Sequence, residues 1–249
     1  MPYKLGKKPA RAGAVKFRFA DYLKATTLPP LPAVFGHEEL ISSWPMLAND
    51  QYGDCVWAGA AHETMLLAKE GGNTVNFTDA NVLSDYAAVT GFDPSNPSTD
   101  SGTDMQAAAA YRQKTGIIDA TGKRHTIAMY LALEAGNVKH LYYASYLFGA
   151  VGIGLRLPAS ALDQSARGQA WDVVAGAPQQ GGHYVPLVGR RADGLLIAIS
   201  WGAVQPMTEK FFATFCDEAI AYVSTEYLVS RKSPEGFDYA ALVNDLNAL

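Results

Sequence analysis

Hydrophobic and polar positions change rhythm about half-way along the chain. Residues 56–70 form an almost unbroken small and apolar run ended by Gly71-Gly72, which predicts a buried helix. Its first turns hold Ala58, Gly59, Ala60 and Ala61 and allow another backbone to come close. Thr78-Asp79-Ala80-Asn81 opens a second helix through Val89, a polar loop follows at 93–100, and 104–115 reads as a third helix stopped by Gly116. After Ile127 the character shifts: 139–147 and 150–157 carry β-branched, aromatic and glycine residues and read as strands, with a short helix at 160–164. The runs 184–190 and 195–201 flank Arg191-Ala192-Asp193-Gly194, and Asp-Gly between apolar runs is a hairpin signal. A short helix at 207–215 and a further strand at 219–224 complete the pattern. Helices first and antiparallel sheet second make an α+β arrangement.

Residues 1 to about 45 have no sustained periodicity and carry Pro29, Pro30, Pro32 and Pro45, so they are expected to wrap over the surface without forming a core element. The expected division is an N-terminal arm over 1–44 and one domain over 45–249, with a helical lobe at about 45–125, a β lobe at about 126–230 and a C-terminal tail. With 249 residues, 49% hydrophobic and 18% charged, the chain can bury a substantial core. A formal charge of -4 argues against a nucleic-acid surface. The basic residues Lys4, Lys7, Lys8, Arg11, Lys16 and Arg18 read as a mobile, solvated arm.

Cys55 and Cys216 allow at most one bridge and read as free thiols in a reducing compartment. The first residues hold no apolar signal region and no later run approaches a membrane span. The default is a soluble cytoplasmic protein with no membrane partner, leaving open export by a route that needs no signal. No phosphate-binding glycine loop, metal-ligand spacing or paired-carboxylate motif stands out, so neither a cofactor nor a metal is expected.

The candidate chemistry centres on 49–62, where a polar, turn-forming stretch enters the first helix with Cys55 at the junction. Unpaired backbone N–H groups and the positive helix end favour a thiolate there. From the local sequence alone, the same residue reads equally as a small buried side chain. A base has to come from elsewhere, because His62 lies two helical turns on, about 10 Å along the axis. His62 reads as a packed or partly exposed side chain, and His37, His125 and His140 read as surface residues. His183 differs: it follows Gln179-Gln180-Gly181-Gly182, glycines that admit another chain closely, and it opens an apolar strand. A histidine delivered from a sheet to a cysteine at a helix start suits nucleophilic catalysis, while a plain strand-end histidine is the competing reading.

Together these segments resemble the papain-like cysteine peptidases. Gly53-Asp54-Cys55-Val56-Trp57-Ala58 is similar to the family's Gly-Ser-Cys-Trp-Ala motif, and His183-Tyr184-Val185-Pro186-Leu187-Val188-Gly189 to its His-Ala-Val-x-x-Val-Gly strand. Ser200-Trp201-Gly202 stands where the family has Asn-Ser-Trp-Gly, and 102–117 looks like its glycine-rich entry into a helix ending Tyr-Gly-Ile. All four occur in the family's order over roughly 45–230. The resemblance implies a helical lobe packed against an antiparallel β-sheet or barrel lobe, with the active cleft between them and a peptide or protein as substrate. It makes Cys55 the nucleophile, His183 the base, Asn49 the oxyanion-hole amide with Gln51 as alternate, and Trp201 the residue that shields the cleft.

The third triad position falls on Ile199, which cannot accept a hydrogen bond from imidazole. Ser200 or a backbone carbonyl is the candidate orienter. A tight turn at Asp193-Gly194 would pair His183 with Val204, whereas Ser200 comes opposite His183 only if the loop centres between Arg191 and Ala192. The chain also lacks the disulfide cysteines and any recognisable propeptide pattern of secreted members. Two placements of the N-terminal arm follow, over part of the cleft or passively along the domain, and the second is preferred. Two readings follow: a thiol hydrolase forming an acyl-enzyme on Cys55, which is preferred, and a papain-fold binding or structural protein with little or no catalysis.

Overall fold

Short apolar segments separated by glycine, proline and Asx turns fold into helices laid on both faces of one antiparallel sheet. The computed structural model describes residues 3–13, 15, 17–25 and 29–226, so the expected C-terminal tail lies outside the described residues. Helix α1 (Phe19–Ala25) and the short strand β1 (Phe35–Gly36) come first, followed by α2 (Cys55–Glu70), α3 (Asp79–Thr90) and α4 (Met105–Lys114). The three later helices match the sequence pattern to within about a residue. Thr78 and Asn81 form a reciprocal capping box on α3, and the Asp104 carboxylate accepts from the Gln106 and Ala107 backbone N–H groups to open α4.

A two-residue ribbon of β2 (Ile117–Ile118) and β3 (Arg124–His125) leads into β4 (Ile127–Leu133), α5 (Val138–Phe148), β5 (Val151–Pro158) and α6 (Ala159–Ala166). The chain continues through β6 (Gln179–Arg190), β7 (Leu196–Ser200), β8 (Ala203–Met207), α7 (Glu209–Phe215) and β9 (Cys216–Ser224). The sheet order is β4-β9-β5-β6-β7-β8, with β1 added on β6, and its pairings are antiparallel.

Side-chain alternation sends the sheet's residues into two cores. Val185 and Leu187 of β6 and Ala219, Ala221 and Val223 of β9 join Phe19, Tyr22, Leu141, Phe148, Trp171 and Phe211 on one face. Tyr184, Ile220 and Tyr222 point the other way and pack with Trp57, Ala60, Ala61, Met105 and Ala108 of α2 and α4. Gly59 lets α2 lie close on the sheet, since a Cβ there would sit 2.4 Å from the Tyr184 ring.

A buried ion pair ties this face together. Arg112 Nη1 lies 2.7 Å from Glu63 Oε2, the Tyr184 hydroxyl donates to Glu63 Oε1 at 2.5 Å, and the Arg112 guanidinium stands 4.1 Å from the centre of the Tyr222 ring. The pair therefore bridges α2, α4, β6 and β9.

Four expectations need correction. The aromatic stretch at 139–147 is helix, because Asn137 caps its start and Leu141, Ala144, Ser145, Leu147 and Phe148 recur at helical spacing to fill the core. β4 and β8 carry no clear alternation and were not expected. The first 45 residues do contribute to the core, where Phe19 and Tyr22 are fully buried. His125 is no surface residue: it is buried, with Nδ1 2.7 Å from Glu226 and Nε2 3.0 Å from Asp119.

Replacing Arg112 with leucine strands the Glu63 carboxylate in the core. The expected cost is about 3–5 kcal/mol in urea unfolding, and Glu63→Gln combined with Arg112→Leu should cost clearly less than the two single changes added together.

Candidate functional site

The loop ahead of α2 is held in an unusual backbone conformation. Leu47 and Ala48 have φ of 58° and 64°, the left-handed region that non-glycine residues avoid, and Leu47 packs into the core beside Cys55 and Val56. The turn that follows carries Asn49, whose Nδ2 donates to Asp54 Oδ1 at 3.0 Å and to the Tyr52 carbonyl at 3.4 Å. Asp54 is buried, and desolvation holds its carboxyl well above the usual range despite the Asn49 bond. Gln51 is exposed.

Cys55 begins α2 and is buried. Burial pushes its thiol up to about 12, while hydrogen bonds from the backbone of Tyr184 and of Gly6 act in the opposite direction. Cys55 shares its core with Tyr184, the strand residue adjoining His183. His183 is buried on β6, and desolvation lowers it to about 3. Its ring stacks on Trp201 at 4.3 Å and 17°, its Nε2 lies 2.9 Å from Ser200 Oγ, and its Nδ1 has no hydrogen-bond partner among the described residues.

Strand register explains why serine and not Ile199 reaches the imidazole. Arg190 pairs with Leu196, and an irregularity between Leu187 and Gly189 shifts the pairing so that Leu187 faces Ala198. Continued, that register sets Ser200 across from Val185, one diagonal step from His183. Neither sequence-based alternative matches it. Ile199 points to the opposite face, into a small core with Trp44, Leu66, Ala150, Val188 and Ile197.

Residues 3–8 run through this site, the cleft-covering placement that sequence reasoning ranked second. Lys7 N donates to the Gly182 carbonyl at 3.0 Å, Lys8 N to the Thr103 carbonyl at 2.9 Å, and Thr103 N to the Gly6 carbonyl at 2.6 Å. Contact is so close that a Cβ on Gly6 would lie 1.8 Å from the Gly53 carbonyl oxygen, and one on Gly182 would lie 2.1 Å from that of Lys7. Tyr3 stacks on Trp201 at 4.4 Å, and the Trp201 indole N–H donates to the Lys4 carbonyl at 3.4 Å. Passive packing along the domain is thus corrected. The solvated reading of the basic residues fails at Lys7 alone among the described ones: its side chain is fully buried against Asp217, whereas Lys4, Lys8, Arg11 and Arg18 are exposed. The glycines at 181–182 were the available signal, since they were read as admitting another chain.

The architecture has known counterparts. Xylellain, a cysteine protease from Xylella fastidiosa, superposes with a TM-score of 0.67 at 12% identity, covering 90% of this chain and 97% of that one. Procathepsin B S9 from Trypanosoma congolense gives 0.62 at 13% identity over 88% and 86%, and the digestive procathepsin L 3 of Tenebrio molitor larval midgut gives 0.59 at 16% over 86% and 76%. The fold is papain-like. No known family profile and no curated protein matches the chain in sequence. Within this papain-like frame, Cys55 comes from the helical side and His183 from the sheet. Among the described residues no helix is long and apolar enough to cross a membrane, and no group of three or more His, Cys, Asp or Glu is placed to hold a metal ion.

His62 is a structural partner of the same region. It is buried, its ring meets Trp44 edge-on, its Nε2 donates to the Pro45 carbonyl at 2.8 Å, and burial lowers it to about 4. His62 and His183 are thus neutral when folded and take up protons more readily when unfolded, so both stabilise the fold above about pH 6.5 and lose that contribution as pH falls towards 4. Each should add up to about 1.4 kcal/mol of lost stability per pH unit in that window. Urea midpoints measured from pH 7 to 4 should fall less steeply for His62→Gln and His183→Gln than for the wild type.

Proposed function

We propose that the chain is a cysteine-nucleophile hydrolase of the papain-like type, acting on a peptide or related amide through an acyl-enzyme on Cys55. The observation that carries this reading is the state of the His183 ring: Nε2 is held by Ser200, Nδ1 has no hydrogen-bond partner among the described residues, and Cys55 shares a core with the adjoining Tyr184. In the tautomer with a proton on Nε2, the Ser200 hydroxyl accepts it and the Nδ1 lone pair is free to take the thiol proton. Ser200 then does as orienter what Ile199 cannot.

In the reaction, His183 removes the Cys55 proton as sulfur attacks the carbonyl carbon, then returns it to the departing amine. Water repeats the sequence to release the acid and restore the thiol. The Cys55 backbone N–H and the Asn49 amide are the proposed oxyanion donors, with Gln51 as alternate. Asn49 now spends its two hydrogens on Asp54 and Tyr52, so donation to an oxyanion draws on those same hydrogens. Trp201 covers the imidazole and limits water around it.

A papain-fold binding protein without catalysis is the competing reading, favoured by burial that keeps both the thiol and the imidazole neutral while residues 3–8 fill the cleft. Opening the cleft separates the two. Gly6→Leu, whose side chain would collide with Gly53, should displace the segment in the full chain and make Cys55 react with a thiol-directed electrophile far faster than Cys216. Added to Gly6→Leu, His183→Ala should slow that reaction on the order of 10²-fold or more, and Ser200→Ala about tenfold. Equal, slow labelling of both cysteines in folded Gly6→Leu protein would favour the non-catalytic protein.

A further inference from the structure

One side chain of the cleft-filling segment enters a closed slot. Lys7 is the residue after Gly6, which packs on Gly53 two residues before Cys55, and its own N–H is bonded to Gly182, next to His183. Its side chain is fully buried, with Nζ 2.7 Å from Asp217 Oδ1 and 4.0 Å from Glu218 Oε2. The aliphatic stem passes over Gly154, where a Cβ would lie 2.1 Å from Lys7 Cε and 2.8 Å from Met105 Sδ. The slot is therefore narrow and apolar along its length, and acidic at its end. Gln106 donates to Glu218 Oε1 at 2.6 Å, which holds that carboxylate and leaves Asp217 as the direct partner of the ammonium.

We propose that this slot is the recognition pocket of the site for a lysine or arginine side chain of a peptide substrate, and that Lys7 keeps the site closed by occupying it. The inference rests on the reading of Cys55 and His183 as the reacting pair. Three features set the slot apart from an ordinary buried ion pair. The backbone carrying Lys7 is bonded to both walls of the cleft, at Gly182 and through its neighbours Gly6 and Lys8 at Thr103. It stands one residue from Gly6, which packs on Gly53 just ahead of Cys55, so a peptide laid in that place presents a side chain to the slot. The slot residues belong to the domain wall, on α4, β5 and the start of β9, and remain when the segment leaves. A neutral side chain there would forfeit a charge-assisted hydrogen bond while still covering a carboxylate, so discrimination should be at least about tenfold.

The test uses full-length Gly6→Leu protein and paired peptides that differ only in lysine against norleucine. With Cys55→Ala added, fluorescence anisotropy should show the lysine peptide binding at least about tenfold more tightly, and Asp217→Asn should bring the two within about twofold. Electrophile-tipped versions should label Cys55 in Gly6→Leu with the same preference. Equal binding of the two peptides overturns the pocket whatever the chemistry does. A binding preference without any labelling of Cys55 leaves the pocket standing and overturns the hydrolase reading. Should Gly6→Leu fail to fold, Lys7→Ala empties the slot in a chain whose backbone path is unchanged. n-Butylammonium should then raise its thermal midpoint saturably, n-butanol should not, and Asp217→Asn should remove the effect. Equal responses to the two additives overturn the proposal.

Discussion

The site depends on how closely α2 packs on β6. Gly59 lets the helix rest on the Tyr184 ring, the Tyr184 hydroxyl reaches down to Glu63, and Arg112 completes the tie from α4. Because strand residues alternate, fixing Tyr184 against the helix fixes the backbone next to it, and that backbone carries His183. A helix start and a strand distant in sequence thus come together through packing that involves neither candidate side chain. A bulky residue at 59 or an unpaired charge at 63 would disturb the site from below.

Water exclusion sets the chemical state of that site. Residues 3–8 fill the space over the cysteine, and both titratable partners are pushed towards their neutral forms by burial: the thiol upward and the imidazole downward. An ion pair between them gains little where neither charge is solvated and Gly6 packs on the loop just ahead of the cysteine. Access and ionisation are therefore coupled, since anything that lifts the segment admits the water that charged groups need. The same segment carries its own ammonium to Asp217, so its hold on the cleft combines backbone pairing, an aromatic stack at Trp201 and a buried ion pair.

The helical half was legible because its signals are local. Thr78 with Asn81, Asp104 ahead of the alanine run, and Gly71 after the first helix each act within a turn of their own position. The stretch at 139–147 misled because tyrosine favours strands only weakly, and a core that wants Leu141, Ala144 and Phe148 on one helical face outweighs that preference. The candidate pair of Cys55 and His183 was legible from motif order and from the glycines ahead of the histidine. The partner of His183 was not, because register turns on an irregularity at 187–189 that no residue type announces.

By itself, then, the sequence determined the α+β order of elements, the cysteine at a helix start, the histidine at a strand and the isoleucine where an orienting side chain was sought. These follow from near-neighbour physics: capping, alternation and turn chemistry. Tertiary structure alone decided that Ser200 meets Nε2, that Ile199 faces a different core, and that Gly6 and Lys7 close the site from almost 50 residues upstream of Cys55. A segment with weak local preferences takes its conformation from the surface it lies on. Here that surface is a glycine-walled cleft with a carboxylate at the end of its slot, and it exists only once both halves of the chain have folded.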